Sequence, residues 1–224
     1  MLDLVTANLQ GGNISIWLGL GDGALAGEMI YGAGNCPGSV ALGDFNEDGM
    51  LDVAAANSGS NDVSVLLNRT PAPRTVYRFW SPAYSRHFYT IRPAERDKLI
   101  NNYSHVWTYE GPAYKAWSDD RQSGVAPVYR FWSASLNAHV YTIKPAERDK
   151  LLNSYSHVWA YEGVAFYAYA PGAQPTGTMG VYRFWSTTLN CHFYTAKLAE
   201  RDKLINSFSS VWAYENIMWY AYGA

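Results

Sequence analysis

Five side chains recur at fixed spacing along the last two-thirds of the chain, and their types suit a sugar. Arg78, Trp80, His87, Tyr89 and Glu110 are followed by Arg130, Trp132, His139, Tyr141 and Glu162, then by Arg183, Trp185, His192, Tyr194 and Glu215. An indole or phenol can stack on the apolar face of a pyranose while Arg, His and Glu bond its hydroxyls. Hiding about 100 Å² of apolar surface contributes roughly 2.5 kcal/mol, and each hydrogen bond adds about 1 kcal/mol. A single site of this kind binds at about the millimolar level. Three such sites on one rigid body gain from avidity. The same residues also have an architectural reading: one aromatic row of a strand is core, a repeated His is a strut, and Arg78 with Glu110 is a buried pair.

A second constellation is Asp44-Phe45-Asn46-Glu47-Asp48-Gly49-Met50-Leu51-Asp52. Its oxygen side chains at Asp44, Asn46, Asp48 and Asp52 suit a hard cation, Gly49 permits the tight turn, and Met50 can add its carbonyl. The expected cofactor is a structural Ca²⁺. The bidentate Glu that ends an EF-hand loop is missing, and an acidic turn without metal is the other reading.

Catalytic patterns are not found. The chain has no G-x-S-x-G, no H-E-x-x-H and no phosphate-cradling glycine loop. Glu95 and Glu110 could be proposed as opposed glycosidase carboxylates. Glu95, however, lies in Ala94-Glu95-Arg96-Asp97-Lys98, where pairing with Lys98 one turn on is the plainer expectation. Repetition itself argues against an enzyme, which needs one convergent constellation. A net charge of -2 gives no pull toward nucleic acid. No stretch is long and apolar enough to enter a membrane. Cys36 and Cys191 are far apart, without a CxxC pair, and are read as free buried thiols or as one bridge.

The elements that must position these residues follow from the repeat. Of the nine Trp, eighteen Tyr and eight Phe, only Trp17, Tyr31 and Phe45 precede Val76. From there, Val-Tyr-Arg-Phe-Trp-Ser opens at Val76, Val128 and Val181, at spacings of 52 and 53 residues. His-x-Tyr-Thr, Ala-Glu-Arg-Asp-Lys-Leu and Val-Trp-x-Tyr-Glu follow each time. The alternation in the opening predicts a strand with Tyr77 and Phe79 on one face and Arg78 and Trp80 on the other. His-x-Tyr-Thr predicts a short second strand. Pro93 to Tyr103 predicts a helix with Leu99, Ile100 and Tyr103 on its apolar face, and Arg92 where a capping Ser or Thr would stand. One or two strands close each repeat. Gly-, Pro- and Ser-rich linkers run over 118–127 and 170–180.

The expected fold is mainly β with one short helix per repeat. Residues 76–224 form a closed threefold pseudo-symmetric β-trefoil-like domain of three units, 76–127, 128–180 and 181–224. A linker at 71–75 joins it to a β-propeller-blade-like fragment at 1–70. In that fragment Leu2–Asn8 is echoed by Leu51–Asn57 and Ile14–Leu18 by Val63–Leu67, at an offset of 49 residues that suits a four-stranded blade.

On Asp44 to Asp52 and this offset, residues 2–69 resemble the FG-GAP/VCBS repeat family of β-propellers. The resemblance implies that Asp44, Asn46, Asp48 and Asp52 hold calcium. Asp3 aligns with Asp52, but no loop precedes it, so the chain reads as a slice of a longer propeller, with other blades or a second chain as partners. On Tyr-Arg-Phe, His-Phe-Tyr-Thr, Ala-Glu-Arg-Asp and Tyr-Glu-Gly, residues Val76–Tyr222 resemble a bacterial repeat family of unknown function found beside cell-wall hydrolases. That implies glycan or cell-surface binding by association, in an extracellular or cell-surface setting, although Met1–Val5 shows no signal peptide. The third repeat departs from the pattern at Glu215-Asn216, where Gly111 and Gly163 stand in the others. The function expected is a non-catalytic, lectin-like binder of polysaccharide. The alternatives are an adhesive scaffold docking a protein partner, or an accessory region of a secreted hydrolase.

Overall fold

The computed structural model describes residues 2–46, 50–69 and 72–224. The chain is mainly β and divides into two compact units, Met1–Thr70 and Pro71–Ala224. The first holds β1 (Leu4–Asn8), β2 (Asn13–Trp17), β3 (Met29–Gly32), β4 (Pro37–Gly43), β5 (Asp52–Asn57) and β6 (Asp62–Leu66). The second holds three copies of a strand–strand–helix–strand unit. These are β7 (Arg74–Ser81), β8 (Arg86–Thr90), α1 (Pro93–Asn102) and β9 (Thr108–Ala116); β10 (Val125–Ser133), β11 (Ala138–Thr142), α2 (Pro145–Ser154) and β12 (Ala160–Tyr169); and β13 (Met179–Ser186), β14 (Cys191–Thr195), α3 (Leu198–Ser207) and β15 (Ala213–Ala221). Strands β10 and β13 thus begin inside the segments expected to be linkers. Both cysteines are free, Cys36 exposed and Cys191 buried.

In the first unit, β1-β2-β3 and β4-β5-β6 are two antiparallel sheets. Each has three strands among the described residues, where four were expected. Val5, Ile14 and Ile16 of one pack on Val40, Val53, Ala55 and Leu66 of the other. The 49-residue offset is visible in the polar contacts. Asn8 Nδ2 donates to Asn13 and Ser15, as Asn57 Nδ2 donates to Asp62 and Ser64. Asp3 accepts from the Gly19 amide as Asp52 accepts from the Asn68 amide.

In the second unit each repeat is a three-stranded antiparallel sheet whose middle strand opens the repeat, and β12 joins β15 at Tyr169 and Tyr220. The expected trefoil body is corrected in this respect: among the described residues no sheet closes on itself. Instead, contacts between the repeats recur in cyclic order. Strands β8, β11 and β14 are sheet edges whose outward amides and carbonyls lack a strand partner. On each strand a tyrosine hydroxyl from a neighbouring repeat satisfies one amide and one carbonyl. The Tyr141 hydroxyl accepts from the Tyr89 amide at 3.1 Å and donates to the Tyr89 carbonyl at 2.9 Å. Tyr194 does the same for Tyr141, at 3.0 and 2.8 Å, and Tyr89 for Tyr194, at 3.3 and 2.6 Å. The three rings meet edge to face.

Equivalent residues layer the same core: Val76, Val128 and Val181; Tyr114, Phe166 and Trp219; Ala116, Ala168 and Ala221. At the far ends of the sheets, Trp117 exchanges backbone hydrogen bonds with Tyr167, and Lys115 with Tyr222.

Simple alternation fails in the opening strands. Register shifts fall on either side of Arg78, between Val76 and Tyr77 and between Arg78 and Phe79. These bulges let Val76, Arg78 and Phe79 all be buried while Tyr77 and Trp80 are half-exposed. Opposite Arg78 and Arg130, Gly111 and Gly163 take φ of +98° and +97°, a region open to glycine. Asn216 stands opposite Arg183 without a positive φ, and the same shifts are kept.

The helices are placed by polar contacts. None has a buried residue, and Ile100 and Tyr103 of the expected apolar face are 38% and 42% exposed. The residue before each helix makes no side-chain cap. The Thr of His-x-Tyr-Thr acts there instead: Thr90, Thr142 and Thr195 accept from the amides of Arg92, Lys144 and Lys197. Arg96 holds α1 to its own sheet through the Tyr77 hydroxyl at 2.9 Å.

Candidate functional site between the repeats

The recurring polar residues meet where one repeat abuts the next. Arg130, on the middle strand of the second repeat, faces two carboxylates. Its terminal nitrogens donate to Glu95 of α1 in the first repeat at 3.1 and 3.3 Å. Its Nε lies 2.8 Å from Glu162 of its own repeat, an ion pair off the hydrogen-bond line. His139 Nε2 lies 3.2 Å from the same Glu162 oxygen. The pattern recurs with Arg78, Glu110 and His87 against Glu200, and with Arg183, Glu215 and His192 against Glu147. Thr195 and Thr142 donate to Glu200 and Glu147, fixing those carboxylates from behind. The third cluster is complete despite Asn216, with Arg183 and Glu215 at 2.6 Å.

Electrostatics keep these clusters ionic. Burial pushes the Glu110, Glu162 and Glu215 carboxyls up, but the histidine hydrogen bond and the adjacent guanidinium outweigh it and hold them below the ordinary carboxylate value. Burial pulls the His87 and His139 imidazoles down more than their glutamates raise them, so both rings are neutral at neutral pH. Arg78 and Arg130 are raised by the carboxylates they face, against the cost of burial.

A cleft of about 500 Å³ opens beside Arg130. The first repeat contributes Phe88, Glu95, Lys98, Leu99, Tyr103 and Trp107, and the second contributes Arg130, His139 and Glu162. Trp107 was not singled out in the sequence, and Glu95 and Lys98 were read as a pair within one helix or, for Glu95, as a partner of Glu110, not as lining of a cleft between repeats. Their signal was available, since Ala-Glu-Arg-Asp-Lys-Leu and Val-Trp-x-Tyr-Glu recur in every repeat. The equivalents at the other two interfaces are Glu147, Lys150 and Trp159, and Glu200, Lys203 and Trp212. Each of the three lysines lies over an aromatic ring, Tyr103, Tyr155 or Phe208.

The expected ligand residues are thus sorted by position. The Arg, His and Glu of each set come together. Trp80, Trp132 and Trp185 pack on their histidine rings at 4.6, 4.6 and 4.7 Å and are half-buried. Tyr89, Tyr141 and Tyr194 are each 1% exposed, in the core, with their hydroxyls committed to backbone. Glu95 pairs with Arg130 and not with Lys98. Glu95 and Glu110 belong to different clusters, so they do not face each other as opposed carboxylates.

In the first unit, Asp44 and Asn46 lie between β4 and β5, and Asp52 opens β5. Asp48 lies outside the described residues. Asp52 is fully buried, and its carboxylate ties two backbone amides, Phe45 at 3.0 Å and Asn68 at 2.7 Å. Each oxygen keeps a further lone pair, so Asp52 can serve the backbone and a cation together. Among the described residues no group of three or more His, Cys, Asp or Glu is close enough to hold a metal. Asp44, Asn46, Asp52 and the Met50 carbonyl are hard oxygen donors of the kind Ca²⁺ takes.

No described helix is long and apolar enough to cross a membrane. The sequence profile of a domain of unknown function (DUF5648) matches residues 75–222. That of an FG-GAP-like repeat matches residues 1–55. Searches of curated proteins and of solved structures returned no match.

Proposed function

The chain belongs to the DUF5648 family of domains of unknown function, and on that premise we propose that its second unit is a non-catalytic, multivalent glycan-binding module. In this reading the three repeats act as one closed threefold body, and the ligand seats between them. The observation that carries it is the cleft beside Arg130. There Trp107 supplies an indole ring, Lys98 an ammonium that also lies over Tyr103, and Glu95 and Glu162 carboxylates fixed by one guanidinium. A volume of about 500 Å³ lies in the ordinary range of small-ligand sites. With Glu162 held ionic by His139 and Arg130, and Glu95 bonded to the same guanidinium, the pair suits hydroxyl recognition better than acid catalysis, which needs one carboxyl kept protonated. Such a protein works among extracellular or cell-surface polysaccharides, without nucleic acid.

The experiment is a glycan array on the full chain, followed by titration of any bound glycan with wild type and Trp107→Ala. Loss of one stacked ring removes roughly 2.5 kcal/mol, a weakening of well over tenfold at that cleft. Absence of any glycan bound at millimolar ligand, or equal affinity in the variant, defeats the proposal. One observation favours the scaffold alternative: the clusters' charges are already paired within the protein. Under that reading Trp107→Ala lowers stability and no glycan binds.

For the first unit we propose a propeller-blade-like fold whose Asp44, Asn46, Asp48 and Asp52 side chains, with the Met50 carbonyl, hold a structural Ca²⁺. Bound only by the folded state, the ion stabilises by mass action, by about 2.7 kcal/mol at a hundredfold excess over Kd. The unfolding midpoint of the first unit should therefore rise when Ca²⁺ replaces EDTA, and Asp44→Ala should abolish the rise. An unchanged midpoint at millimolar Ca²⁺ contradicts the assignment.

A further inference from the structure

The first unit carries both halves of one sheet-to-sheet interface and uses only one of each. Its internal interface sets Val5, Ile14 and Ile16, on the inner face of β1-β2-β3, against Val40, Val53, Ala55 and Leu66 of β4-β5-β6. Shifted by the 49-residue repeat, Val5, Ala7, Ile14 and Ile16 become Ala54, Ala56, Val63 and Val65. The register places these four on the other face of β4-β5-β6, with Ala54 opposite Val65 and Ala56 opposite Val63. That face is uncovered: Val63 is 64% exposed and Val65 52%. In the reverse direction, Val53, Ala55 and Leu66 become Leu4, Thr6 and Trp17. These lie on the outer face of β1-β2-β3 together with Ile30, and Leu4 is 46% and Ile30 60% exposed. The chain therefore presents an apolar donor face and, on the opposite sheet, the counterpart of the face that already receives one.

We infer that the protein assembles head to tail, the Ala54–Ala56–Val63–Val65 face of one copy seating on the Leu4–Trp17–Ile30 face of the next. The occupant is a second copy because the complementary face belongs to the same chain and continues an interface the chain already makes. The contact is heterologous, since the two surfaces differ, so it propagates to a ring or a filament and does not stop at a two-fold dimer. Assembly of this kind would also multiply the glycan clefts, although the inference does not depend on them.

The test is sedimentation velocity on the full chain from low to high micromolar concentration. Wild type should show mass rising with concentration beyond a dimer. Val63→Glu with Val65→Glu blocks one face, and Leu4→Glu with Ile30→Glu blocks the other. All four positions are exposed, and circular dichroism checks that each variant is folded. Each variant alone should be monomeric, while an equimolar mixture should give a dimer that grows no further. Wild type that stays monomeric, or association that survives in either variant, overturns the inference. Folded variants that remain monomeric when mixed overturn the head-to-tail geometry. A single Val65→Lys substitution serves in place of the first pair should that pair unfold, and it too should abolish growth.

Discussion

Replacing Arg78 with methionine should lower the stability of the second unit by about 3 kcal/mol, dropping its thermal midpoint by roughly 10 °C. The guanidinium is buried between Glu110, 2.8 Å from its Nε, and Glu200, 2.8 and 2.9 Å from its terminal nitrogens. Methionine fills much of the volume but leaves two carboxylates facing each other with only a neutral histidine between the repeats. Breaking a buried pair by removing one partner typically costs 3–5 kcal/mol. The lower end applies because Glu110 and Glu200 keep 28% and 31% of their side-chain surface in solvent. Tryptophan fluorescence isolates the effect, since Trp17 is the lone tryptophan of the first unit. An Arg78→Met variant within 1 kcal/mol of wild type would show that the cluster holds nothing together.

Removing the single hydroxyl of Tyr141, by changing it to phenylalanine, should cost about 2–4 kcal/mol although the ring and its packing remain. That oxygen serves both backbone groups of Tyr89. Without it a buried amide and a buried carbonyl on an edge strand both go unpaired, each at about 1–3 kcal/mol. Tyr77→Phe is the control. Its hydroxyl accepts from Arg96 at the periphery, where water can replace it, so the loss should stay below about 1 kcal/mol. Denaturant unfolding of the two variants separates the cases. Equal small losses would mean the tyrosine cycle is incidental to the core.

Much of this fold was legible because the repeat is dense. Every element of the second unit follows from motifs that recur at constant spacing, and the helices begin at Pro93, Pro145 and Leu198 where the pattern places them. Individual roles were less legible, because three chemistries share one short motif. In His-x-Tyr-Thr the histidine meets the glutamate that closes its repeat, the tyrosine reaches the neighbouring repeat's edge, and the threonine supports the helix start. Nothing in the local pattern distinguishes a tyrosine that binds a ligand from one that binds backbone.

Alternation also misplaced Arg78 relative to Phe79, since the bulges around it break the period of two. Glu95 was read against Lys98 on its own helix, because sequence spacing cannot show that α1 leans on the next repeat. The cleft beside Arg130 was hidden for the same reason. It is made between repeats, from Glu95 and Trp107 of the first and Arg130 and His139 of the second, whereas spacing groups residues within a repeat.

The claim on which the rest depends is that the third repeat returns to meet the first, so that each repeat donates to one neighbour and accepts from the other. Arg78 and Glu200, 122 positions apart, make that contact. A double-mutant cycle with Arg78→Met, Glu200→Gln and the combined variant measures it directly. Closure predicts a coupling energy of about 2 kcal/mol, with Glu200→Gln relieving part of the damage done by Arg78→Met. Additive effects, within about 0.5 kcal/mol, would place the two residues apart and contradict the arrangement.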